Sequence, residues 1–272
     1  MNTPTPPNEL DQAILALAKS KAALPDFCRC LRKGELFLLM RYQPDLVDAT
    51  IELKNGAPFP FSLLKTDKGL TVPAYTSEER ASEGLANGKV PSRQFVIGSM
   101  PALQALEVIG KMKFSMTLNR GCRTGEVCLP ADLLRDLADG TALKPQPPSG
   151  KLASATLKIV EPAEYPTDVV QASFEFFRRH DPFKAAWILT QIDKPDDYFI
   201  ILLMQPRDAS LYHDFTMVAQ AASGKLHQVH VQPVDENNPE HVKAFYNCGQ
   251  PFYQAVDYQP PASANATGQS SL

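Results

Sequence analysis

Residues 61–81 read Phe61-Ser-Leu-Leu-Lys-Thr-Asp-Lys-Gly-Leu-Thr-Val-Pro-Ala-Tyr-Thr-Ser-Glu-Glu-Arg-Ala81, and this stretch contains the clearest structural signals of the chain. Two apolar runs, residues 61–65 and 70–75, flank a short polar segment that contains Gly69. Apolar runs joined by a Gly-containing turn are typical of a β-hairpin. The stretch therefore predicts two paired strands.

A helix is predicted directly after the hairpin. Thr76 and Glu79 have the S/T-x-x-E spacing of a capping box, which predicts a helix over residues 77–86. At this junction of strand and helix, the charged pair Glu79 and Arg80 emerges beside the aromatic Tyr75. We therefore take Tyr75, Glu79 and Arg80 as candidate partner-binding residues. The alternative is that Glu79 caps its helix and that Arg80 is solvated.

Further helices and strands are predicted over the rest of the first half of the chain. Apolar periodicity, together with Pro and Gly at the ends of the periodic segments, separates helices from strands. The predicted helices cover residues 9–21, 25–34, 99–109 and 130–137, and the predicted strands cover 35–41, 94–97, 113–118 and 126–129, with a weak strand at 50–54.

A turn at Asn119-Arg120-Gly121 adds Asn119 as a fourth candidate partner-binding residue. Two other interpretations of this turn compete with a partner-binding role for Asn119. Asn and Gly are frequent in turns because they tolerate a left-handed backbone. Alternatively, Arg120 and Arg123 hold an anion.

The second half follows a different pattern. Helices are predicted over residues 166–179, 211–222 and 239–247, and strands over 156–160, 185–191, 198–205 and 226–234. The order of strand, helix, two strands, helix and strand favours a small antiparallel or mixed sheet with helices on one face.

A change of composition separates the two halves. Residues 140–151 contain three prolines and two glycines and offer almost no apolar surface, as an interdomain linker does. We therefore predict domains at 9–139 and 152–258, a Pro-rich linker at 140–151 and a disordered tail at 259–272. The fold class is α+β, with two small domains, each a mixed or antiparallel sheet with helices packed mainly on one face.

The charge distribution argues against nucleic-acid binding. The 272 residues have a net charge of −3, and residues 1–150 carry 18 basic and 16 acidic side chains against 9 and 14 in the remainder. Nucleic-acid binding leaves a basic patch or stripe, and neither half has one.

The longest apolar run, residues 199–204, is too short to span a membrane. We expect a partner that is neither a nucleic acid nor a membrane.

The cysteines, histidines and acidic residues do not form a familiar site. Five cysteines, an odd number, without a secretory signal favour free thiols and a cytoplasmic location. His241 and Cys248 would lie about 10 Å apart along a helix, too far for a thiol–imidazole pair. Asp193, Asp196 and Asp197 are better explained by a polar turn than by a cation site. The sequence also lacks the dinucleotide, P-loop, nucleophile-elbow and zinc-protease motifs. We expect no catalytic residue, no metal and no cofactor.

Several segments together resemble the SseB (enhanced serine sensitivity) family. Residues 70–81 are similar to the strand-to-helix signature of its N-terminal domain, and 118–121 followed by 126–134 are similar to the turn, strand and helix that end that domain. Residues 166–258 resemble its C-terminal domain, through a helix ending Phe177-Arg-Arg-His180, two apolar strands and the closing Pro251-Phe-Tyr253. Family members often have Asn-Pro where this chain has Asn119-Arg120. The resemblance implies a bacterial cytoplasmic protein of two domains and implies no reaction.

Two classes of function follow. The first is a non-enzymatic protein-binding or regulatory protein, linked to serine or amino-acid metabolism as the family name suggests, or acting as an immunity protein that neutralises a toxin. The second is a small-ligand sensor or an enzyme with an unfamiliar site between the two domains.

Overall fold

The computed structural model describes residues 7–41, 61–66, 69–87, 95–144, 159–191, 194–224, 228–234 and 238–260. The chain divides into two units, Met1–Lys19 with Asp26–Leu143, and Ser20–Pro25 with Lys144–Leu272. Nothing in the residue pattern predicted that Ser20–Pro25 would group with the second unit. Each unit contains its own sheet.

The chain up to Leu143 forms five helices and six strands among the described residues. The helices are α1 (Glu9–Lys19), α2 (Leu24–Lys33), α3 (Glu78–Ala86), α4 (Ala102–Lys111) and α5 (Ala131–Asp139). The strands are β1 (Glu35–Arg41), β2 (Leu64–Thr66), β3 (Gly69–Tyr75), β4 (Phe95–Pro101), β5 (Ser115–Leu118) and β6 (Val127–Leu129).

The first sheet is mixed, in the order β4-β1-β3-β5-β6, with β2 paired to the start of β3. β3 and β5 run in parallel, and the other pairs are antiparallel. The predicted hairpin at 61–75 is therefore confirmed as β2 and β3. On one face, Leu39 of β1 and Tyr75 of β3 pack with Ala81 of α3 in an apolar cluster. α5 ends at Gly140, whose φ of 81° is the left-handed conformation that commonly closes a helix.

The second unit has three helices and five strands among its described residues. The helices are α6 (Thr167–Phe177), α7 (Ala209–Ser223) and α8 (Pro239–Cys248), and the strands are β7 (Ile159–Val160), β8 (Phe183–Gln191), β9 (Lys194–Met204), β10 (Gln228–Pro233) and β11 (Tyr253–Gln254). The sheet has the order β10-β9-β8-β11, with β7 also paired to β8. β10 is parallel to β9, and the other pairs are antiparallel.

Apolar side chains cover both faces of this second sheet. Strand residues such as Ile188, Ile200 and Leu202 pack with side chains of α6 and α7. The alternate residues of the same strands, among them Trp187 and Ile201, pack with α8. This division follows from the period of two in a strand, which directs successive side chains to opposite faces.

Residues 20–25 contribute to the first of these two cores. Lys21–Ala23 forms a 3-10 turn capped by Ser20, whose hydroxyl accepts the Ala22 N–H. Ala22 is buried in the cluster that contains side chains of α6 and α7. Ser20 Oγ also donates to a carboxylate oxygen of Glu175 on α6. That bond lowers the pKa of Glu175.

The α+β class with two mixed sheets is confirmed. Four details differ from the sequence prediction. Residues 99–101, predicted as the start of a helix, belong to β4. Residues 194–197, predicted as part of a polar turn, belong to β9. The N-cap of α3 is Ser77 rather than Thr76, because the Thr76 hydroxyl is engaged by Asp11. α8 packs on the sheet face opposite α6 and α7. The predicted strand at 50–54 and most of the predicted linker and tail lie outside the described residues.

Candidate functional site

Asn119 lies where two parallel strands end. Ala74 of β3 is opposite Leu118 of β5, so the carboxyl ends of both strands reach the same edge of the sheet. The N–H of Asn119 donates to the Ala74 carbonyl over 2.8 Å. Asn119 is fully buried with a φ of 51°, a left-handed conformation that Asn adopts more readily than most residues. The turn therefore directs the amide of Asn119 into the interior.

The carboxylate of Asp11, from α1, occupies the centre of this site. Asp11 is 1% exposed. Its Oδ1 accepts hydrogen bonds from the Thr76 hydroxyl and, over 2.8 Å, from Asn119 Nδ2. Its Oδ2 accepts from Arg80 Nε over 3.0 Å. Residues from three separate segments thus converge on one buried negative charge, and we call Asp11, Thr76, Arg80 and Asn119 the Asp11 network.

Further hydrogen bonds satisfy the remaining polar atoms of this network. Asn119 Oδ1 accepts the Thr76 N–H over 3.0 Å, and Asn119 Nδ2 also donates to Thr124 Oγ1 over 3.1 Å. Asn8 accepts the Asp11 N–H over 2.8 Å and donates to the Thr76 carbonyl over 2.8 Å. Buried polar groups that are all paired hold their elements in one arrangement.

Arg80 connects the buried carboxylate to the protein surface. Its Nη1 donates to Glu83 Oε2 over 3.0 Å, and Glu83 Oε1 accepts the Arg123 N–H over 3.1 Å. Burial alone lowers the pKa of Arg80, but the hydrogen bonds to Asp11 and Glu83 outweigh it and raise the pKa overall. The guanidinium is therefore a permanent positive charge held between two carboxylates.

The Cys122 thiol is part of the same region. Its Sγ donates to the Arg80 carbonyl over 3.1 Å. Burial, together with the negative charge of Glu83, raises the pKa of Cys122 to about 12. Because the thiolate is the nucleophilic form, a thiol held protonated at neutral pH is unsuited to covalent catalysis.

Tyr75 lies against α3 with its hydroxyl buried. Its side chain is fully buried, and the Oη has no hydrogen-bond partner within the described region. Burial raises the pKa of Tyr75 above its usual range. Gly84 allows this packing, because a Cβ at that position would lie 2.5 Å from Tyr75 Cε1 and 2.8 Å from the Arg120 carbonyl.

Glu79 is separate from the three other candidate residues. It lies exposed on the outer surface of α3, and its hydrogen bond with Ser77 lowers its pKa. The structure therefore brings Arg80 and Asn119 together on Asp11, with Tyr75 packed beneath α3 and Glu79 on the surface. Tyr75 and Asn119 are both fully buried, whereas Glu79 is exposed.

The sequence analysis missed Asp11, the residue on which the others converge. Asp11 follows Leu10 and precedes Ile14 by three positions, which places a carboxylate on the buried face of α1. An acidic residue on an apolar helix face is a signal of a buried pair. The signal was hidden because acidic residues are also favoured in the first turn of any helix.

A cleft of about 310 Å³ lies beside the Asp11 network in the first unit. Asn8 and Thr76 line it on the network side, and Phe37 contributes an apolar surface. Its charged lining residues are Glu9, Lys33 and Glu35, and Cys30 also faces it. Burial, and the nearby charge of Glu9, raise the pKa of Cys30, so its thiol is protonated at neutral pH.

The described residues contain neither a metal centre nor a membrane-spanning helix. No three or more His, Cys, Asp or Glu side chains lie together as a metal centre would require in this part of the chain. Among the described helices, none has both the length and the apolar character needed to cross a membrane.

Comparison with known proteins shows a family similarity for the second half of the chain. Neither a curated protein nor a solved structure matches the chain. Residues 153–255, which contain almost all of the described second unit, match the family model described as the SseB protein C-terminal domain. The sequence resemblance is thereby confirmed for this part of the chain, and the second half of the protein is similar to an SseB C-terminal domain.

Proposed function

We propose that the protein is a non-enzymatic bacterial protein of the SseB type that binds and regulates another protein. The observation that carries this proposal is the internal pairing of the Asp11 network. The carboxylate, guanidinium and amide most suited to chemistry at this site each have protein partners at hydrogen-bond distance. A paired network stabilises the surrounding structure and leaves the surface above it to make contacts.

The surface above the network has the character of a polar recognition site. It consists of Glu79 on α3 and Arg123 and Glu126 in the turn after β5, all exposed, and we call these three residues the charged rim. The side chain of Arg123 is 91% exposed. The Glu83 bridge to the Arg123 N–H fixes the turn against α3. A rim fixed before binding loses less conformational entropy on association, which favours affinity.

The proposal includes the first half of the chain as an SseB-like N-terminal domain. Residues 70–81, and residues 118–121 followed by 126–134, carry that resemblance, and Thr76, Arg80 and Asn119 from these stretches belong to the Asp11 network. The family name then suggests a role linked to serine or amino-acid metabolism, in the cytoplasm. An immunity protein that neutralises a toxin uses the same property, a preformed surface with charges complementary to its partner.

The test is partner capture followed by measurement with the purified pair. The tagged protein is bound to a resin, incubated with lysate of the source bacterium, and stoichiometric partners are identified by mass spectrometry. Affinity is then measured for the wild type and for Glu79→Lys, with Glu107→Lys on the exposed surface of α4 as the matched control. We expect Glu79→Lys to weaken binding by at least tenfold in a protein that remains folded, with a small decrease in melting temperature because Glu79 lies in the first turn of α3. Glu107→Lys should not change the affinity for the partner.

Equal affinity of Glu79→Lys and wild type for the partner would contradict the proposed surface. Capture of no stoichiometric protein, together with turnover of a defined compound by the pure chain, would contradict the proposed class of function.

The cleft beside the network supports a second candidate, a small-ligand sensor. Its volume of about 310 Å³ is at the lower end of the usual range for ligand pockets. Its charges of both signs, on Lys33 and on Glu9 and Glu35, suit a ligand with both an anionic and a cationic group. In this case a metabolite co-purifies in native mass spectrometry, and Lys33→Ala abolishes its binding while Glu79→Lys does not.

A further inference from the structure

β4 is an edge strand of the first sheet. All seven of its residues pair with β1, from Phe95 opposite Arg41 to Pro101 opposite Glu35. Within the described part of the chain, the other side of β4 pairs with no strand. None of its seven residues is buried, and Val96 is 44% exposed. As far as the described residues extend, β4 therefore has one side without a strand partner and carries the exposed apolar side chain of Val96.

The sequence of β4 lacks the usual protection of an open edge. Natural edge strands are commonly short, charged, bulged or interrupted by Pro. β4 has no charged residue, its only Pro is the terminal Pro101, and its pairing with β1 runs without a register shift. Phe95, Val96 and Ile97 are residue types that favour strands. The strand has the properties of a pairing surface.

The other long edge differs in its side chains. β10, at the edge of the second sheet, has no Asp, Glu, Lys or Arg among its six residues, but Val229 and Val231 are buried in the core of its own unit. The opposite edge of the first sheet, β6, has three residues. Among the described strands, β4 has the longest open edge. Its Val96 is exposed, and Phe95 and Ile97 are partly buried against the cluster that contains Leu39 and Tyr75.

The pattern of β4 is complementary to itself. In an antiparallel pair of two copies centred on Gly98, Val96 lies opposite Met100 of the second copy, and Ile97 lies opposite its Ser99. Every pair across the junction is uncharged. Such a junction contains no like-charge opposition.

We propose that β4 is a self-association edge, at which a second copy of this chain adds its own β4 in antiparallel orientation and extends the first sheet across a twofold axis. Symmetric pairing of one patch with itself is the commonest way in which soluble proteins dimerise. The ladder of seven residues is small compared with a standard interface, so the dimer has a dissociation constant on the order of 10 µM.

The test measures the mass of the full-length protein against its concentration. Sedimentation velocity from about 1 to 300 µM should show a shift from the 29.9 kDa chain to twice that mass. Ser99→Lys is the disrupting variant, because Ser99 is exposed and the two introduced ammonium groups would lie about 8 Å apart across the axis. Cys128→Lys, on the exposed surface of the opposite edge strand, is the matched control.

A charge-reversal mixture separates lost pairing from lost folding. Ser99→Lys and Ser99→Glu should each remain monomeric at 300 µM, while an equal mixture of the two should form a heterodimer at least tenfold more stable than either homodimer. Hydrogen exchange should show concentration-dependent protection of alternate β4 amides in the wild type. A wild type that stays monomeric at 300 µM would overturn the proposal, and so would a Ser99→Lys protein that dimerises as the wild type does. These outcomes are independent of partner binding at the charged rim.

Discussion

The Asp11 network of the first unit and the aromatic core of the second unit hold their elements by different forces. In the first unit, a carboxylate, a guanidinium, an amide and a hydroxyl pair within hydrogen-bond distance. In the second unit, the ring of Phe177 lies 4.6 Å from that of Phe183, 4.8 Å from that of Phe215 and 4.7 Å from that of Tyr253, measured between centroids. The first interaction is directional and charged, and the second is apolar.

Because of this difference, the Asp11 network and the aromatic core should tolerate different substitutions. A buried ion pair is satisfied in one geometry, and removal of one partner leaves the other charge desolvated and unpaired. An apolar cluster loses contact area in proportion to the atoms removed, and neighbouring side chains relax into part of the space. We therefore expect an isosteric change in the network to cost more than a change of size in the aromatic core.

The largest expected effect is that of Asp11→Asn. Asn has nearly the same shape as Asp, but Arg80 loses its buried counter-charge. The new side-chain amide also places an N–H donor beside Asn119 Nδ2, which is itself a donor. We expect a loss of about 3 kcal/mol in the free energy of unfolding of the first unit. Urea unfolding followed by far-UV circular dichroism measures it, and fluorescence of Trp187, the single Trp of the chain, reports the second unit separately.

Asp26→Asn is the control for this change. Asp26 also pairs with an Arg, Arg29, but its side chain is 82% exposed, so we expect a change below about 0.5 kcal/mol. Equal effects of Asp11→Asn and Asp26→Asn would mean that the network does not stabilise the first unit.

Gly84→Ala tests the packing beneath the charged rim. The added Cβ would lie within 3 Å of the Tyr75 ring, the Tyr75 hydroxyl and the Arg120 carbonyl, so α3 must move away from the sheet. We expect a loss of about 2 kcal/mol, measured by the same urea unfolding. Ser82→Ala, at an exposed position of the same helix, should be neutral or slightly stabilising because Ala has the higher helix propensity. A neutral Gly84→Ala would show that α3 is not held closely on Tyr75.

Phe177→Leu sharpens the comparison from the side of the aromatic core. The substitution keeps an apolar side chain but removes ring contacts with Phe183, Phe215 and Tyr253. We expect a loss of about 1 kcal/mol, observed in the Trp187 transition. The exposed Arg179→Ala serves as the reference for a surface change on the same segment. A loss for Phe177→Leu larger than that for Asp11→Asn would reverse the proposed order of the two regions.

The smallest expected effect is the pH dependence contributed by Cys122. Its pKa is raised in the folded protein to about 12, so folding favours the protonated thiol. The resulting stability is fully present below the unfolded pKa of about 9 and is lost as the pH rises from 9 towards 12. At pH 10 the stability lost through this thiol is less than about 1 kcal/mol, because the partial exposure of the thiol reduces the effect. Unfolding midpoints at pH 8 and pH 10 should therefore differ less in Cys122→Ala than in the wild type.

Cys128→Ala provides the comparison at an exposed cysteine and should leave the pH dependence unchanged. An identical decline between pH 8 and pH 10 in Cys122→Ala and the wild type would contradict the assignment to this thiol.

The local signals of the sequence predicted the elements well and the site poorly. The hairpin of β2 and β3 and the helix that follows lie within one continuous stretch, from Leu64 to Ala86, so periodicity and turn residues were sufficient to predict them. The Asp11 network joins residues 108 positions apart, and no local pattern reports such a contact. Thr76 illustrates the limit, since it satisfies the capping-box spacing but uses its hydroxyl for a distant carboxylate.

The second sheet shows the same limit at the level of layers. The apolar runs of β8 and β9 indicated buried strands correctly. A continuous apolar run also indicates that both faces are covered, because successive side chains point in opposite directions. That inference predicts a helix on each face, and α8 provides the second one.

The place of Ser20–Pro25 has a consequence for how the protein is made. These residues leave the ribosome long before the helices that surround Ala22 in the second unit, since α7 ends at Ser223. Domains generally form in the order of their synthesis, from the N-terminus onwards. This segment, which links α1 to the start of α2, must therefore remain outside its core until about 200 further residues have been translated. A fragment that begins after Pro25 lacks the Ala22 side chain, which is buried in that core.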